Sequence, residues 1–161
     1  MIIIIMGVTG AGKTTVGTLL AKQLGWQFAD ADSFHSASNI EKMSHGIPLT
    51  DADRAPWLAA MRKDIESWIL KGQNAVLGCS ALKRTYRAEL YVGPGVKFVF
   101  LKGTYDLIRE RLQSRHGHFA NEDILADQFE KLEEPQNVVT IDISKSPEEI
   151  VKEIRTCLNL F

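Results

Sequence analysis

GVTGAGKT, residues 7–14, is the stretch that decides the fold of this chain. It follows the apolar run Ile2–Met6 and precedes the amphipathic segment Val16–Leu24. The pattern G-x-x-x-x-G-K-[ST] between a strand and a helix is typical of a phosphate-binding loop. Glycines let backbone N–H groups turn toward phosphate oxygens, and the start of the following helix adds positive potential. The sequence therefore predicts that the chain binds a nucleoside triphosphate, with ATP as the default.

The loop also carries the side chains that this prediction needs. Lys13 supplies a mobile cation for the outer phosphates, and the hydroxyl of Thr14 can ligate Mg²⁺. The other loop positions expected to contact ATP are Gly7, Thr9, Gly10, Ala11, Gly12 and Thr15. A glycine-rich turn with a surface lysine is the alternative, and the agreement of motif and context disfavours it.

Composition limits the classes of protein that fit. The 161 residues suit a single domain, 1–161, and 45% hydrophobic with 24% charged residues is ordinary for a globular protein. The net charge of -1 argues against nucleic acid or an anionic membrane as the main partner. The apolar N-terminus is too short for a signal peptide or a membrane span, so we expect the cytoplasm. Cys79 and Cys157 are expected to be buried free thiols.

Strand-length apolar runs alternate with helical patterns along the chain. This alternation predicts an α/β fold of three layers, a P-loop NTPase fold with a parallel sheet and helices on both faces. A long helix is expected to open at Thr50 with Asp53 as its capping-box partner, and a last helix at Ser146. The predicted strands are Ile2–Met6, Trp26–Ala29, Ala75–Cys79, Val96–Leu101 and Val138–Ile141.

Two polar stretches interrupt the alternation, at about 32–56 and about 115–135. In a phosphoryl-transfer enzyme such stretches are suited to an acceptor-binding insert and a closing lid. Arg111 and Arg115 lie four residues apart at the entry to the second stretch, where a guanidinium could stabilise the transferring phosphoryl group. A basic helix end that complements the helix dipole is the alternative. Asp142 ends a strand resembling a Walker-B strand, and we expect it to be structural.

Asp30 and Asp32 stand at the end of the second predicted strand, on the edge where ligands bind in open α/β sheets. Alternation along an extended strand would point both carboxylates to one side. One could help to hold Mg²⁺ beside Thr14, and the other could take the proton of an acceptor hydroxyl. A solvated turn is the alternative.

Four further polar side chains are candidates for contact with the acceptor. Lys83 and Arg87 lie four residues apart on one predicted helical face, and with Arg54 they suggest a pocket that recognises an anion. Taken singly, each could be a surface charge. His35 is expected to make a polar contact with substrate, because zinc-ligand spacing is lacking.

At this point the sequence resembles the gluconate kinase family of small P-loop kinases, relatives of shikimate and adenylate kinases. The resemblance covers nearly the whole chain. Beyond the phosphate loop, it rests on six stretches: 30–35 (DADSFH), 39–43 (NIEKM), 46–58 (GIPLTDADRAPWL), 79–87 (CSALKRTYR), 115–119 (RHGHF) and 128–135 (QFEKLEEP). Ala120-Asn121 departs from the family pattern, where Met-Pro is expected.

The resemblance implies a five-stranded parallel sheet, a lid, commonly a homodimer, and transfer of the γ-phosphate of ATP to the 6-hydroxyl of D-gluconate with Mg²⁺. It places around gluconate Asp32, His35, Arg54, Lys83, Arg87 and Gln128, with Arg111 and Arg115 at the lid and phosphates. Lys13, Asp32 and Arg115 would be catalytic, which leaves Asp30 to hold Mg²⁺ beside Thr14. Two alternatives stay open: a kinase for shikimate or a nucleoside monophosphate, and a regulatory ATP-binding module without catalysis.

Overall fold

The computed structural model describes the backbone of residues 1–116 and 122–161 and the side chains of residues 1–114 and 123–161. Within these ranges one sheet has the strand order β2-β3-β1-β4-β5, and every neighbouring pair is parallel. Its strands are β1 (Ile2–Met6), β2 (Gln27–Asp30), β3 (Ala75–Gly78), β4 (Val96–Lys102) and β5 (Val139–Asp142). The predicted five-stranded parallel sheet is confirmed, and each strand boundary lies within one residue of its expected place.

The helices of the described ranges are α1 (Lys13–Leu24), α2 (Ala37–Ser44), α3 (Asp51–Leu70), α4 (Arg84–Leu90), α5 (Tyr105–His116), α6 (Glu122–Lys131) and α7 (Pro147–Cys157). Thr50 and Asp53 form the predicted capping box at the start of α3. A 3₁₀ turn (Ala31–Phe34) and α2 occupy the first polar stretch. In these ranges none of the helices combines the length and apolar character needed to cross a bilayer.

Strand β1 is buried on both faces, which explains its uninterrupted apolar sequence. Ile3 and Ile5 face the layer that contains α1, α5, α6 and α7, whereas Ile2, Ile4 and Met6 face α3 and α4. Full burial of each such side chain contributes roughly 1.5–3 kcal/mol. The three-layer prediction is therefore confirmed, with β1 at the centre of the core.

One expectation about the cysteines is wrong. Cys79 is buried at the end of β3, but Cys157 is exposed. The apolar stripe of α7 runs through Ile150 and Ile154 to Leu158, which packs against the core, and Cys157 falls beside that stripe. Both thiols are free.

Strands β2, β3 and β1 are neighbours, so the segments that follow their carboxyl ends meet at one edge of the sheet. These segments are residues 7–12, the 3₁₀ turn, and residues 79–83. The parallel topology thus brings together the loop and the acidic pair that the sequence marked separately.

Candidate active site

A cavity of about 270 Å³ lies at the carboxyl ends of β1, β2 and β3. Its walls combine the glycine-rich loop, the turn after β2, the end of β3, and single side chains from three helices. The lining residues are Thr9, Gly10, Gly12, Lys13, Thr14, Thr15, Asp30, Ala31, Asp32, Trp57, Gly78, Cys79, Ser80, Leu112 and Gln128.

The loop needs its glycines for two separate reasons. Gly10 and Gly12 have φ angles of 79° and 99°, in the left-handed region that favours glycine. A Cβ added at Gly10 would also lie 2.8 Å from Cγ of Leu112 on α5, so α5 packs directly on the loop. Gly12 is the N-cap of α1, so the positive end of that helix faces the cavity. The arrangement suits the binding of phosphate oxygens.

Lys13 lies across the loop that it follows. Its Nζ donates to the carbonyl oxygens of Gly7 at 3.0 Å and Val8 at 2.9 Å. Burial lowers the pKa of Lys13, and the negative charges of Asp32 and Asp30 oppose that shift. The ammonium group is therefore held against the phosphate loop, within electrostatic reach of both carboxylates.

Asp30 links the loop to the turn after β2. Its Oδ2 accepts a hydrogen bond from Thr14 Oγ1 at 3.3 Å, and its Oδ1 accepts from the backbone N–H of Asp32 at 2.9 Å. Hydroxyl and carboxylate oxygens are the donors that Mg²⁺ prefers. Thr14 and Asp30 together thus present a donor set that fits Mg²⁺ at the edge of the cavity.

The expected reason for the pairing of Asp30 and Asp32 is wrong. Strand β2 ends at Asp30, and Asp32 lies in the 3₁₀ turn, so strand alternation does not set its direction. The Asp30 side chain caps that turn, which curls Asp32 back toward the sheet edge. Both residues nevertheless line the same cavity.

His35 stacks on Trp57, with ring centroids 4.5 Å apart and ring planes 8° from parallel. The indole Nε1 of Trp57 donates to the carbonyl oxygen of Ala31 at 2.7 Å, which ties α3 to the 3₁₀ turn. Burial lowers the pKa of His35; the Asp32 charge opposes this and the Arg54 charge adds to it. The charges of Asp32 and Arg54 therefore both act on the His35 imidazole, in opposite directions.

Arg54 belongs to a cluster at the start of α3 and α4. Its Nη1 donates to Leu49 O at 2.9 Å and to Tyr86 Oη at 3.3 Å. The Tyr86 hydroxyl donates to Asp51 Oδ1 at 2.5 Å, and Lys83 Nζ donates to the same oxygen at 3.1 Å. Hydrogen bonds from Tyr86 and Lys83 hold the pKa of Asp51 below its usual value.

Arg87 has a different environment from Lys83, although the two were predicted to share a helical face. Arg87 is only 8% exposed, and its guanidinium donates to Ala81 O, Leu82 O and Glu133 O at 2.7, 3.1 and 2.7 Å. Lys83 is the N-cap of α4 and faces Asp51. Arg87 thus ties the loop after β3 to the segment after α6, and the two cations do not face one common pocket.

Gln128 on α6 contacts the phosphate loop. Its Oε1 accepts the backbone N–H of Thr9 at 2.6 Å, and it lines the cavity. Gln128, which was predicted to contact the acceptor substrate, therefore joins α6 to the phosphate loop.

The predicted lid, at about 115–135, is described only in part. Helix α6 lies inside it, residues 117–121 lie outside the described residues, and so does the side chain of Arg115. Arg111 is half-buried near Asp142, whose pKa is lowered first by hydrogen bonds from Ser144 and also by the Arg111 charge. Asp142 Oδ1 accepts the N–H of Ser144 at 2.8 Å, which gives it a turn-stabilising contact.

Sequence reasoning assigned no role to several residues that the structure brings to the site. Trp57, Cys79 and Ser80 line the cavity, and Asp51 and Tyr86 join the Arg54 cluster. Burial raises the pKa of Cys79 to about 12, so it stays a thiol beside Lys13. Ser80 could have been found, because it follows a strand that ends at the ligand-binding edge. Asp51 was hidden by its place in a helix-capping sequence.

Comparison with known proteins gives a consistent result. The family model for shikimate kinase matches residues 9–159. The probable gluconokinase of Xenopus tropicalis is 43% identical over 96% of this chain and 91% of that protein. The gluconokinase of Gluconobacter oxydans is 43% identical over 94% of this chain and 88% of that protein.

A solved structure agrees with these sequence matches. The crystal structure of a gluconokinase from Sinorhizobium meliloti superposes with a TM-score of 0.87 at 41% identity. The match covers 98% of this chain and 94% of the other. The similarity therefore includes the phosphate loop, the acceptor-side segments and the core.

Proposed function

We propose that this chain, which belongs to the shikimate kinase family and within it to the gluconokinases, phosphorylates D-gluconate at its 6-hydroxyl at the expense of ATP. One observation carries the proposal: the phosphate loop with Lys13 and the carboxylate of Asp32 line the same cavity. Phosphoryl transfer needs a phosphate site and an acceptor site that share one space. The gluconokinase relatives supply the identity of the acceptor.

The proposed reaction divides between the two sides of the cavity. Loop N–H groups, the start of α1 and Lys13 bind the phosphates and stabilise charge on the transferring group. Asp32 accepts the proton of the gluconate 6-hydroxyl as that oxygen bonds to the γ-phosphorus. The bond from the γ-phosphorus to the bridging oxygen breaks, and ADP leaves with the electron pair.

Mg²⁺ would be held by Thr14 and Asp30, where it would neutralise charge on the phosphates. Their 3.3 Å contact supports this assignment over one in which Asp30 is the base. Asp32 is the better base because its own carboxylate has no part in the cap of the 3₁₀ turn.

The acceptor carboxylate is proposed to bind Arg54. Of the three candidate cations, Arg87 already donates to three carbonyl groups and Lys83 already pairs with Asp51. Arg54 lies close enough to His35 to affect its pKa, and His35 stacks on a cavity wall. A neutral His35 can exchange hydrogen bonds with the hydroxyls between the two ends of gluconate. Gln128 is proposed to contact the acceptor beside the loop.

Further assignments follow from the resemblance. Arg111 and Arg115 are proposed to bind the phosphates, with Arg115 stabilising the transition state as a lid closes over about 115–135. We also propose a single domain that works as a homodimer in the cytoplasm; light scattering of the purified protein tests the dimer.

An ADP-release assay over a panel of acceptors tests the function. We expect gluconate to stimulate ADP release strongly, and glucose, shikimate and AMP to do so far less. Faster turnover of shikimate or AMP would reassign the acceptor. ADP release that no acceptor stimulates would favour a regulatory ATP-binding module instead.

A further inference from the structure

Asp51 connects the starts of two helices that flank the proposed acceptor site. It lies in the first turn of α3, and its Oδ1 accepts hydrogen bonds from Lys83 Nζ at 3.1 Å and from Tyr86 Oη at 2.5 Å. Lys83 stands at the N-cap position of α4, and Tyr86 lies in the first turn of that helix. One carboxylate oxygen therefore holds two donors from the other helix.

Two cations share the ring of Tyr86. The guanidinium carbon of Arg54 lies 5.6 Å from the ring centroid, and Lys83 Nζ lies 5.5 Å from it. Arg54 also donates to the Tyr86 hydroxyl. The cluster thus contains two positive side chains, one neutral phenol and one carboxylate, Asp51. Its formal charge is that of a single cation.

The two cations differ in what they can still bind. Within the described part of the chain, the hydrogen bonds of the Arg54 guanidinium run from Nη1 alone, to Leu49 O and Tyr86 Oη. Its Nε and Nη2 groups remain available for a bidentate contact with a carboxylate. Lys83, in contrast, has the Asp51 carboxylate as its ionic partner.

We infer that Asp51 sets the affinity of the acceptor site for carboxylates: by pairing with Lys83, it leaves Arg54 as the cation of this cluster that meets the acceptor carboxylate. The inference rests on the proposed function. Asp51 engages Lys83 Nζ and the Tyr86 hydroxyl, two donors that could otherwise contact a carboxylate of the acceptor. Asp51 is therefore a specificity-determining residue that keeps binding of the acceptor moderate.

Moderate binding has a kinetic advantage at this site. The carboxylate of gluconate does not react, so it is unchanged in the substrate, the transition state and the phosphorylated product. An extra cation on it would tighten all three equally, which lowers KM without raising kcat. It would also slow release of the product. Pairing Lys83 with Asp51 avoids this.

A structural ion pair is the competing explanation. The Asp51 and Lys83 side chains are 70% and 28% exposed, so solvent screens their attraction and the pair adds little to stability. A structural role predicts that loss of Asp51 lowers the unfolding temperature and leaves the KM for gluconate unchanged or higher. The inference predicts the opposite direction for KM.

A mutant cycle on the KM for gluconate separates these explanations. We expect Asp51→Asn to lower this KM about three- to tenfold, the range for a partly screened charge, and to leave the KM for ATP unchanged. Lys83→Gln alone should change the KM for gluconate less than about twofold, since Lys83 is already paired. In the double variant the gain of Asp51→Asn should disappear. Asp64→Asn, the same change at an exposed position of α3, is the matched control.

The results that overturn the inference are distinct from those that overturn the function. A wild-type protein that does not phosphorylate gluconate contradicts the proposed function. If the wild-type protein turns over gluconate normally but Asp51→Asn leaves the KM for gluconate unchanged or raises it, the inference is contradicted and the proposed function is not. A gain that persists in the double variant also contradicts it. If Asp51→Asn does not fold, Lys83→Gln still tests the inference. A tenfold rise in its KM for gluconate would show that Lys83 binds the acceptor in the wild-type protein, which contradicts the inference.

Discussion

The proposed nucleotide side and the proposed acceptor side of the site are built in different ways. On the nucleotide side, residues 7–15, the groups proposed to bind phosphate are mostly backbone N–H groups, whose directions depend on the glycine φ angles and the start of α1. On the acceptor side, residues 30–58 and 79–87, side chains hold one another: His35 on Trp57, and Arg54 and Lys83 around Tyr86. A backbone site depends on a local motif, whereas a side-chain site depends on which helices meet.

This difference explains why many chemistries can share one phosphate loop. The loop fixes the phosphoryl donor, and the acceptor side can change its residues without altering the sheet. Substitutions on the nucleotide side should therefore remove activity toward every acceptor. Substitutions on the acceptor side should change which acceptor is used and at what concentration.

The largest effect is expected at Lys13. Lys13→Ala should lower kcat by about 10²–10³-fold or more, because the cation stabilises charge on the transferring phosphoryl group. The fold should persist, since among the described residues the hydrogen bonds of Lys13 Nζ go to two carbonyl groups of its own loop. Steady-state kinetics with circular dichroism checks both points. Lys22→Ala, on the exposed side of α1, is the control, and a folded Lys13→Ala with near-normal turnover would contradict the account.

The next effect separates the two carboxylates of the turn. Asp32→Asn should lower kcat by about 10²–10⁴-fold, the usual contribution of a general base, with little change in the Mg²⁺ requirement. Asp30→Asn should instead raise the Mg²⁺ concentration needed for half-maximal rate, and its amide oxygen can still cap the 3₁₀ turn. Mg²⁺ titrations of both variants measure this. The reverse pattern would exchange the two roles.

A smaller effect, confined to one substrate, is expected at Arg54. Arg54→Ala should raise the KM for gluconate about ten- to a hundredfold, because a charge-assisted hydrogen-bonded contact with the carboxylate is lost. The KM for ATP should change little. Initial rates with each substrate varied in turn measure the split, and equal changes in both KM values would argue against a carboxylate site at Arg54.

Arg87→Met is the comparison variant for Arg54. Arg87 is buried and its donors fill three carbonyl groups, so its loss leaves those acceptors unpaired. We expect the free energy of unfolding in urea to fall by about 2–4 kcal/mol, with the KM for gluconate nearly unchanged in the folded fraction. A specific rise in that KM without loss of stability would show that Arg87 binds the acceptor.

The smallest effect concerns His35. Its pKa in the folded protein is lowered from 6.5, so near that pH the unfolded chain binds more protons than the folded chain. The contribution of His35 to the free energy of unfolding should therefore be fully present above pH 6.5. It should decline as the pH falls through the lowered pKa of the folded protein. NMR titration should give a His35 midpoint below 6.5. In His35→Gln the decline with falling pH should be shallower, and an identical pH dependence in both proteins would refute this.

The sequence allowed the fold to be predicted where local rules decide it. The loop motif, the capping box at Thr50 and the apolar runs of the strands are local patterns, and the structure confirms each. Helix α2 has no such pattern, because its one buried residue is polar: Asn39 donates to Asp53 O at 2.8 Å. That contact joins segments distant in sequence, and a periodicity of apolar residues does not indicate it.

For the site, sequence patterns identified candidate residues better than their partners. Lys83 and Arg87 illustrate this, because a spacing of four predicts a shared helix face and does not predict what packs there. Lys83 forms an ion pair with Asp51, whereas Arg87 donates to carbonyl groups of the loop after β3. Both partners come from tertiary packing, which a single sequence does not specify.

The most direct test of the account is to identify the product of a reaction of wild-type protein with Mg²⁺, ATP and gluconate by phosphorus NMR. Transfer to the 6-hydroxyl should give one phosphate monoester for each ADP formed, with its phosphorus coupled to the two protons on C6 of gluconate. Release of inorganic phosphate in place of that monoester, or a phosphate on another carbon, would contradict it.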